Sequence, residues 1–245
     1  MTTVPSRPTP RRPAATARKK RRRPPLRAPL GARERAELTV KRLAEMYPAA
    51  CELDFRNPFE LTIATILSAQ TTDRAVNAVT PQLFSRYPTA RDLAGADPAK
   101  VELIVKSTGF FRAKTHSIIA CAQHLVARFD GEVPPRLEDL VTLPGIGRKT
   151  ANVILGVAFD LPGFAVDTHV IRLSRRLGLA GTSDPEKIER IVTRMVPPEE
   201  WSGLSLRLIL HGRRICDARR PRCEECPLND YCPSSSVRGT QPPAG

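Results

Sequence analysis

The sequence predicts an all-α protein, and three observations support this prediction. From about residue 31 onward, apolar residues recur at the three- and four-residue spacing of amphipathic helices. Helix-start signals recur along the chain, most clearly at Asn57-Pro58, Asp97-Pro98 and Asp184-Pro185. The alternating polar and apolar pattern of a half-buried strand is almost absent. With 245 residues, of which 41% are apolar, the chain can build a substantial helical core.

The first predicted helices lie before residue 70. Residues 33–47 carry an apolar face, and Pro48 ends the helix. Asn57 is then an expected N-cap, with Pro58 in the first helical position and Glu60 reaching back to the chain before it. The helix that follows, to about residue 69, is apolar nearly all round, so we expect it at the centre of the core.

The remaining helices are predicted from the same signals. Asp97-Pro98 opens a helix that Gly109 closes, and residues 113–129 form a long amphipathic helix. A Pro-Gly-x-Gly turn at 144–147 separates a short apolar stretch from a helix at 150–159. Two later helices are expected, one after Asp184-Pro185 and one at 201–215.

The positive charge of the chain is concentrated at its N-terminus. The net charge is +14, and residues 1–30 hold ten Lys or Arg and no acid, which leaves +4 for the rest. We predict that residues 1–31 form a disordered basic tail and that residues 236–245 are disordered as well. Such a tail attracts polyanions, most commonly DNA or RNA, although a solvated tail without a partner is the alternative. No apolar run is long enough for a membrane span, and no secretory signal is recognisable.

Four cysteines near the C-terminus have the spacing of a metal centre, C-x6-C-x2-C-x5-C. Four thiolates within 17 residues suit an iron–sulfur cluster or, with a less usual spacing, zinc. A disulfide framework is disfavoured because no secretory signal precedes the sequence. The other two cysteines, Cys51 and Cys121, lie alone in apolar helical stretches and are expected to be buried small hydrophobes. The candidate ligands are Cys216, Cys223, Cys226 and Cys232.

The turn at Leu143–Gly147 is a candidate phosphate site. Gly145 and Gly147 allow positive φ and a close approach of another chain to the backbone. A helix that begins at Arg148 leaves unpaired N–H groups and a positive dipole end at this turn, and Lys149 adds a second positive charge. A helix–hairpin–helix of this kind grips the DNA backbone without reading sequence. The alternative is an ordinary αα-hairpin.

Several segments together resemble the endonuclease III family of DNA base-excision glycosylases. The most specific are LPGIGRKTANVILGVAF at 143–159 and AVDTHV at 165–170, followed by the four-cysteine loop. ILSAQTTDRAVN and LILHGRRIC, at 66–77 and 208–216, are also similar to that family. The resemblance extends from about residue 33 to 233 and favours a [4Fe-4S] cluster over zinc.

The resemblance implies two helical domains that flank a DNA-binding cleft. A six-helix barrel domain with the helix–hairpin–helix would span residues 51–161. The second helical domain would combine residues 32–50 with residues 162–235 and would carry the iron–sulfur cluster loop.

The resemblance also assigns the chemistry. Lys149 would be the nucleophile that attacks C1′ of the damaged nucleotide, expels the base and forms a Schiff base, after which β-elimination breaks the strand. Its helix N-terminal position and partial desolvation would favour the neutral amine. Asp167 would be the essential carboxylate that stabilises positive charge on the sugar. An N-cap is the simpler role for Asp167, and both roles are compatible. His169 is expected to be structural.

Two further residues would reach into the duplex. By their match to the family, Gln70 would fill the gap left by the flipped nucleotide and contact the opposite base, and Phe110 would be an apolar wedge. For Phe110 the alternative is packing beneath its loop beside Phe111. A basic patch near the cysteines would bind phosphates and make DNA affinity fall with salt. It consists of Arg207, Arg213, Arg214, Arg219, Arg220 and Arg222.

The resemblance therefore predicts a bifunctional DNA N-glycosylase and abasic-site lyase for oxidised pyrimidines. Its partner would be double-stranded DNA with a damaged pyrimidine or an abasic site, and it would act as a monomer in the bacterial cytoplasm, associated with the nucleoid. One alternative is an adenine-mismatch glycosylase, which needs a carboxylate where this chain has Ala64. The others are a non-catalytic helix–hairpin–helix DNA-binding protein and a zinc-bound structural module.

Overall fold

The structure is a computed structural model that describes residues 30–237. The predicted basic tail and C-terminal extension therefore lie largely outside the described residues. Their inner edges are described, and Gly31 is the N-cap of the first helix, where its carbonyl oxygen accepts the Arg35 N–H at 3.0 Å. The helical part of the chain thus begins at the boundary of the predicted tail.

Twelve α-helices and three short 3-10 turns make up the described part of the chain, which contains no β-strand. The prediction of an all-α fold is confirmed. The helices are α1 (Ala32–Met46), α2 (Pro58–Leu67), α3 (Asp73–Asn77), α4 (Thr80–Arg86), α5 (Ala90–Ala94), α6 (Pro98–Val105), α7 (Phe111–Phe129), α8 (Leu137–Leu140), α9 (Arg148–Ala158), α10 (Thr168–Arg176), α11 (Pro185–Thr193) and α12 (Trp201–Arg214).

Side-chain caps start the helices where the sequence indicates. The side chain of Asn57 accepts the Glu60 N–H at 2.9 Å, and those of Asp97 and Asp184 cap α6 and α11 in the same manner. The reciprocal contact differs from the prediction by one residue. The Glu60 carboxylate accepts the N–H of Arg56, and not that of Asn57, because it also binds the Arg56 guanidinium.

The region predicted as a six-helix barrel contains eight α-helical segments, α2 to α9. Three of them are single turns of four or five residues, and such short pieces leave little periodicity for sequence analysis to detect. The long helix predicted at 113–129 begins two residues earlier, at Phe111, because Phe110 adopts a left-handed conformation that starts the helix abruptly.

The described residues form two apolar clusters. The first contains buried residues between Leu53 and Leu155, from α2 to α9. The second combines α1 with residues from Phe164 to Leu228, including α10, α11 and α12. Among residues 30–237, no helix has both the length and the hydropathy needed to span a membrane.

Two helices position the site. Eight of the ten residues of α2 are buried, which confirms its expected place at the centre of the first cluster. α12 packs against α1 and α10 of the second cluster and also contacts α9 of the first. Because α12 contacts both clusters, the surface between α2, α9 and α12 is where residues from the two parts of the chain meet.

Candidate active site

The hairpin before α9 needs a glycine at position 145 but not at position 147. Gly145 has φ of 82°, and a Cβ there would lie 3.3 Å from the Ser117 Cβ and 3.4 Å from the Ile66 Cγ2. Gly147 has φ of −91°, and a Cβ there would meet no atom within 4 Å. Gly147 does not use the positive φ that glycine allows, since it is the extended N-cap of α9. Its open surroundings still allow another chain to approach.

The N-terminus of α9 exposes backbone donors. Gly147 has no side chain to cap the helix, so the N–H groups of the first turn have no side-chain partner there. Arg148, however, is already engaged. Its guanidinium donates to both carboxylate oxygens of Glu189 on α11, at 2.8 and 2.9 Å, and this pairing raises the arginine pKa.

Lys149 and Asp167 line the same pocket, which has a volume of about 130 Å³. Lys149 projects from the first turn of α9, and Asp167 is the N-cap of α10. Lys149 is exposed, so the partial desolvation expected from the sequence is absent from the protein without DNA. Other pocket residues come from the segment before α2, from α2 and α3, and from α12: Ala50, Cys51, Glu52, Leu53, Thr65, Ser68, Asp73, Thr150, Val153, Leu206, Ile209, Leu210 and Arg213.

Asp167 combines the two roles that the sequence leaves open. Its Oδ1 accepts the backbone N–H groups of His169 and Val170 at 2.8 and 2.9 Å, so it caps α10. Within the described residues, Oδ2 forms no hydrogen bond, and one carboxylate oxygen therefore remains available in the pocket. His169 lies beside Arg172, whose guanidinium is 3.0 Å from Nδ1, and is not part of the pocket lining.

A charged triad that sequence reasoning missed forms part of the pocket wall. Arg213 on α12 pairs with Glu52 at 2.5 Å and with Asp73 at 3.3 Å. The carboxylates lie before α2 and at the start of α3, so these pairs join α12 to the first cluster. No sequence signal indicates the triad because its members are 21 to 161 residues apart.

Gln70 and Phe110 share an unusual backbone conformation. Gln70 has φ of 55° and Phe110 has φ of 46°, in the left-handed region that costs a non-glycine residue roughly 1–3 kcal/mol. Both side chains are exposed, Phe110 to 70%. Phe110 is therefore not packed beneath its loop. Its neighbour Phe111 instead packs partly buried against the first apolar cluster.

The four C-terminal cysteines line one small, mostly apolar cavity of about 30 Å³, and none of them forms a disulfide bond within the described residues. Within residues 30–237, no three His, Cys, Asp or Glu side chains are grouped to hold a single metal ion. The four cysteines nevertheless line one common space. This donor set fits a multinuclear iron–sulfur cluster.

Two side chains contact the sulfur atoms from outside the loop. Arg176 on α10 donates to the Cys216 Sγ at 3.2 Å. The buried His211 on α12 places Nε2 3.3 Å from the Cys226 Sγ and Nδ1 3.1 Å from the Tyr47 hydroxyl. These contacts hold the cysteine loop against the second apolar cluster.

Comparisons with known proteins agree with this geometry. Residues 63–198 match the model of the HhH-GPD superfamily base excision DNA repair protein, and residues 216–232 match the iron-sulfur binding domain of endonuclease III. Endonuclease III of Synechocystis sp. is 50% identical over 84% of this chain and 94% of that protein.

Two solved structures are also similar. A non-covalent endonuclease III–DNA complex has 42% identity and a TM-score of 0.77, and covers 82% of this chain and 95% of that one. A trapped endonuclease III–DNA covalent intermediate, an estranged-adenine complex, has the same identity and TM-score and covers 82% and 96%.

The chain belongs to the endonuclease III family. It is a base-excision DNA repair enzyme with DNA glycosylase and abasic-site lyase activity, and its cofactor is a [4Fe-4S] cluster. The predictions of the family, the fold and the cofactor are confirmed, and the comparisons favour the iron–sulfur cluster over zinc. Cys216, Cys223, Cys226 and Cys232 are the residues that would hold the cluster.

The basic patch of this endonuclease III family member is less available than the sequence suggests. Four of the six arginines have intramolecular partners. Arg207 and Arg213 pair with carboxylates, Arg214 lies over the Tyr47 ring, and Arg222 pairs with Glu225. Arg219 and Arg220 are exposed, and their guanidinium groups contact no partner within the described residues. These two are the best placed of the six to meet phosphates.

Proposed function

We propose that this enzyme removes oxidised pyrimidines from double-stranded DNA, with Lys149 as nucleophile and Asp167 as its carboxylate partner. The observation that carries the assignment is the shared pocket. A lysine at a helix N-terminus and a carboxylate with a free oxygen line one cavity, although they come from different helices. A non-catalytic DNA-binding protein has no need of this pairing.

The chemistry follows from the amine. The neutral Lys149 amine attacks C1′ of the flipped nucleotide as the glycosidic bond breaks, and the departing base takes up a proton. The secondary amine at C1′ becomes a protonated Schiff base as the sugar ring opens. Loss of the acidified C2′ proton then expels the 3′ phosphate oxygen by β-elimination, and water hydrolyses the imine to restore the lysine.

Asp167 stabilises the positive charge that develops on the sugar during this reaction. As the glycosidic bond breaks, the sugar gains oxocarbenium character, which a nearby carboxylate oxygen stabilises. Oδ1 stays fixed by the N–H groups at the start of α10, so Oδ2 is held in a defined direction. The cap thus positions the catalytic oxygen.

The DNA contacts follow from the exposed donors and loops. The N–H groups at the start of α9, beside Gly145 and Gly147, would bind a phosphate. Gln70 would fill the place of the flipped nucleotide, and Phe110 would wedge the stack, since both side chains project from the surface. Arg148 would reach a phosphate only after it leaves Glu189.

The pocket lining suits a polar, oxidised base. Thr65 and Ser68 offer hydroxyl oxygens as acceptors, because their protons are donated to backbone carbonyls of α2, and the Arg213 triad offers both donors and acceptors. Thymine glycol, a ring-saturated pyrimidine, carries hydroxyl groups at C5 and C6 that thymine lacks, and such a lining can bind them. An abasic site needs only Lys149 and the phosphate contacts.

The proposal also includes the division into two domains, the monomeric state and the location of the enzyme in the cell. The two apolar clusters support a first domain at 51–161 and a second one made of 32–50 and 162–235. The cluster loop would act as a scaffold for the C-terminal end of α12. The enzyme would work as a monomer on bacterial DNA, in the cytoplasm at the nucleoid.

The test is a single-turnover assay on three duplexes. They contain thymine glycol, an abasic site, or adenine opposite 8-oxoguanine. We expect base release with strand cleavage on the first, cleavage on the second and no release on the third. Adenine release without cleavage would contradict the proposal and support the adenine-mismatch alternative.

A further inference from the structure

Lys114, in the first turn of α7, is a buried lysine without a carboxylate partner. Its side chain is 5% exposed, and it forms no ion pair within the described residues. A buried ammonium group is costly unless hydrogen bonds satisfy it. Its Nζ donates to the Thr71 hydroxyl oxygen at 2.6 Å and to the Thr108 carbonyl oxygen at 2.7 Å. Burial lowers the pKa of Lys114.

These partners flank the two strained residues of the site. Thr71 directly follows Gln70, and Thr108 lies two residues before Phe110. The Thr71 hydroxyl, which accepts from Lys114, in turn donates to the Thr108 carbonyl oxygen. The backbone N–H of Lys114 also donates to the Phe110 carbonyl oxygen at 3.1 Å. Thr71, Thr108 and Lys114 thus form a three-residue brace between the loops.

We propose that Lys114 is a positioning residue that fixes the Gln70 and Phe110 loops relative to each other, so that both enter the duplex together. This proposal rests on the roles given to Gln70 and Phe110 in the proposed function. The two loops end separate helices, α2 and α6, and without the brace they could move independently. Ordering them on binding would cost conformational entropy, which a preformed arrangement avoids.

The choice of a lysine has a physical reason. One ammonium group offers three donors, so a single side chain can bind a hydroxyl group and a carbonyl group on different loops. An apolar side chain of similar length would fill the space but could not fix the two loops to each other. The brace also places a positive charge behind two side chains that approach a polyanion.

The experiment compares a substrate that needs both loops with one that needs neither. The first is a duplex with one thymine glycol, where a gap must be filled. The second is a single-stranded oligonucleotide with one abasic site, which Lys149 can cleave without base flipping. Lys114→Met keeps the length of the side chain but removes its donors. We expect the single-turnover rate on the duplex to fall about 10- to 100-fold, while cleavage of the single strand changes by less than about twofold.

Lys106→Met is the matched control. Lys106 is an exposed lysine in the 3-10 turn between α6 and Phe110, so the same substitution removes the same charge from the loop that Lys114 contacts. We expect its duplex rate to stay within about twofold of the native enzyme. An equal loss in both lysine variants would show an effect of charge and would overturn the brace.

Thr71→Val tests the same brace if Lys114→Met does not fold. Thr71 is only partly buried, and valine keeps its shape but removes the hydroxyl group. We expect Thr71→Val to lose duplex activity selectively, and Thr71→Ser to recover it. Fluorescence of 2-aminopurine opposite the lesion gives a second readout. We expect a smaller rise on binding in Lys114→Met and Thr71→Val, because Gln70 and Phe110 no longer enter together.

Gln70→Ala and Phe110→Ala separate failure of the brace from failure of the proposed function. If both lose duplex activity selectively while Lys114→Met and Thr71→Val do not, the brace is wrong and the proposed function stands. If neither alanine variant changes the ratio of duplex to single-strand rates, the assigned roles are wrong, and the brace fails with them.

Discussion

At the scale of single residues, backbone strain marks positions that sequence patterns do not reveal. Four non-glycine residues among residues 30–237 have positive φ, and two of them are Gln70 and Phe110. Such a conformation persists only where surrounding contacts enforce it. Here the contacts come from Thr71, Thr108 and Lys114. Strain and exposure thus coincide at the two side chains proposed to enter DNA.

The two hairpin glycines should respond oppositely to substitution. We expect Gly145→Ala to lower the free energy of unfolding by ~1–3 kcal/mol, because alanine at φ of 82° is strained and its Cβ meets Ser117 and Ile66. Gly147→Ser should leave stability unchanged or raise it by up to ~1 kcal/mol, because a serine hydroxyl can cap α9. Urea unfolding measures both changes.

DNA binding gives the second half of this test. The serine hydroxyl in Gly147→Ser would occupy the N–H groups proposed to bind phosphate, so we expect a weaker Kd for duplex DNA despite normal stability. Native affinity in a variant that folds normally would show that the α9 N-terminus is not a phosphate site.

At the scale of elements, the ion pair between α9 and α11 competes with DNA for Arg148. Glu189 is 14% exposed and Arg148 is 42% exposed, so the arginine side of the pair is accessible to solvent and to DNA. We expect Glu189→Gln to free Arg148 and strengthen DNA binding. Arg148→Met should reduce the slope of log Kd against log salt by ~0.9.

Titration of both variants across a range of salt concentrations checks this competition. The alternative to a phosphate contact by Arg148 is that its side chain only fixes α9 to α11. A native salt slope in Arg148→Met, together with unchanged affinity in Glu189→Gln, would favour that alternative.

The elements also show what sequence reasoning can and cannot reach. Asn57, Asp97 and Asp184 cap helices as predicted because capping depends on a few neighbouring residues. Arg148 and Glu189 are 41 positions apart in the sequence, and Lys114 and Thr71 are 43 positions apart. The second contact of Lys114 is to a backbone oxygen, which carries no sequence signal. No local pattern encodes such contacts. A Gly-x-Gly pair likewise does not show from sequence which glycine adopts positive φ, and in this hairpin it is Gly145.

At the scale of the whole molecule, α12 connects the pocket to the cysteine loop. Its residues Leu206, Ile209, Leu210 and Arg213 line the pocket, and His211 contacts Cys226 on the other side. Cys216, the first of the four cluster cysteines, lies two residues after the end of α12. We therefore expect an ordered cluster loop to support the helix that carries Arg213.

The basic tail should act on affinity and not on chemistry. It holds ten of the 39 Lys and Arg residues and no acid. Deletion of residues 1–30 should weaken duplex binding and flatten its salt dependence, because fewer phosphate charges are neutralised. The single-turnover rate at saturating enzyme should not change. A collapse of turnover on abasic DNA would show that the tail takes part in the site itself.

The central claim is that Lys149 forms a Schiff base with the sugar, and borohydride trapping on a duplex with one abasic site tests it most directly. Borohydride reduces the imine to a stable covalent adduct. The native enzyme with its cluster and Asp167→Asn should both form an adduct, whereas Lys149→Ala should form none. A native adduct that persists in Lys149→Ala, or no adduct from the native enzyme, would contradict the assignment.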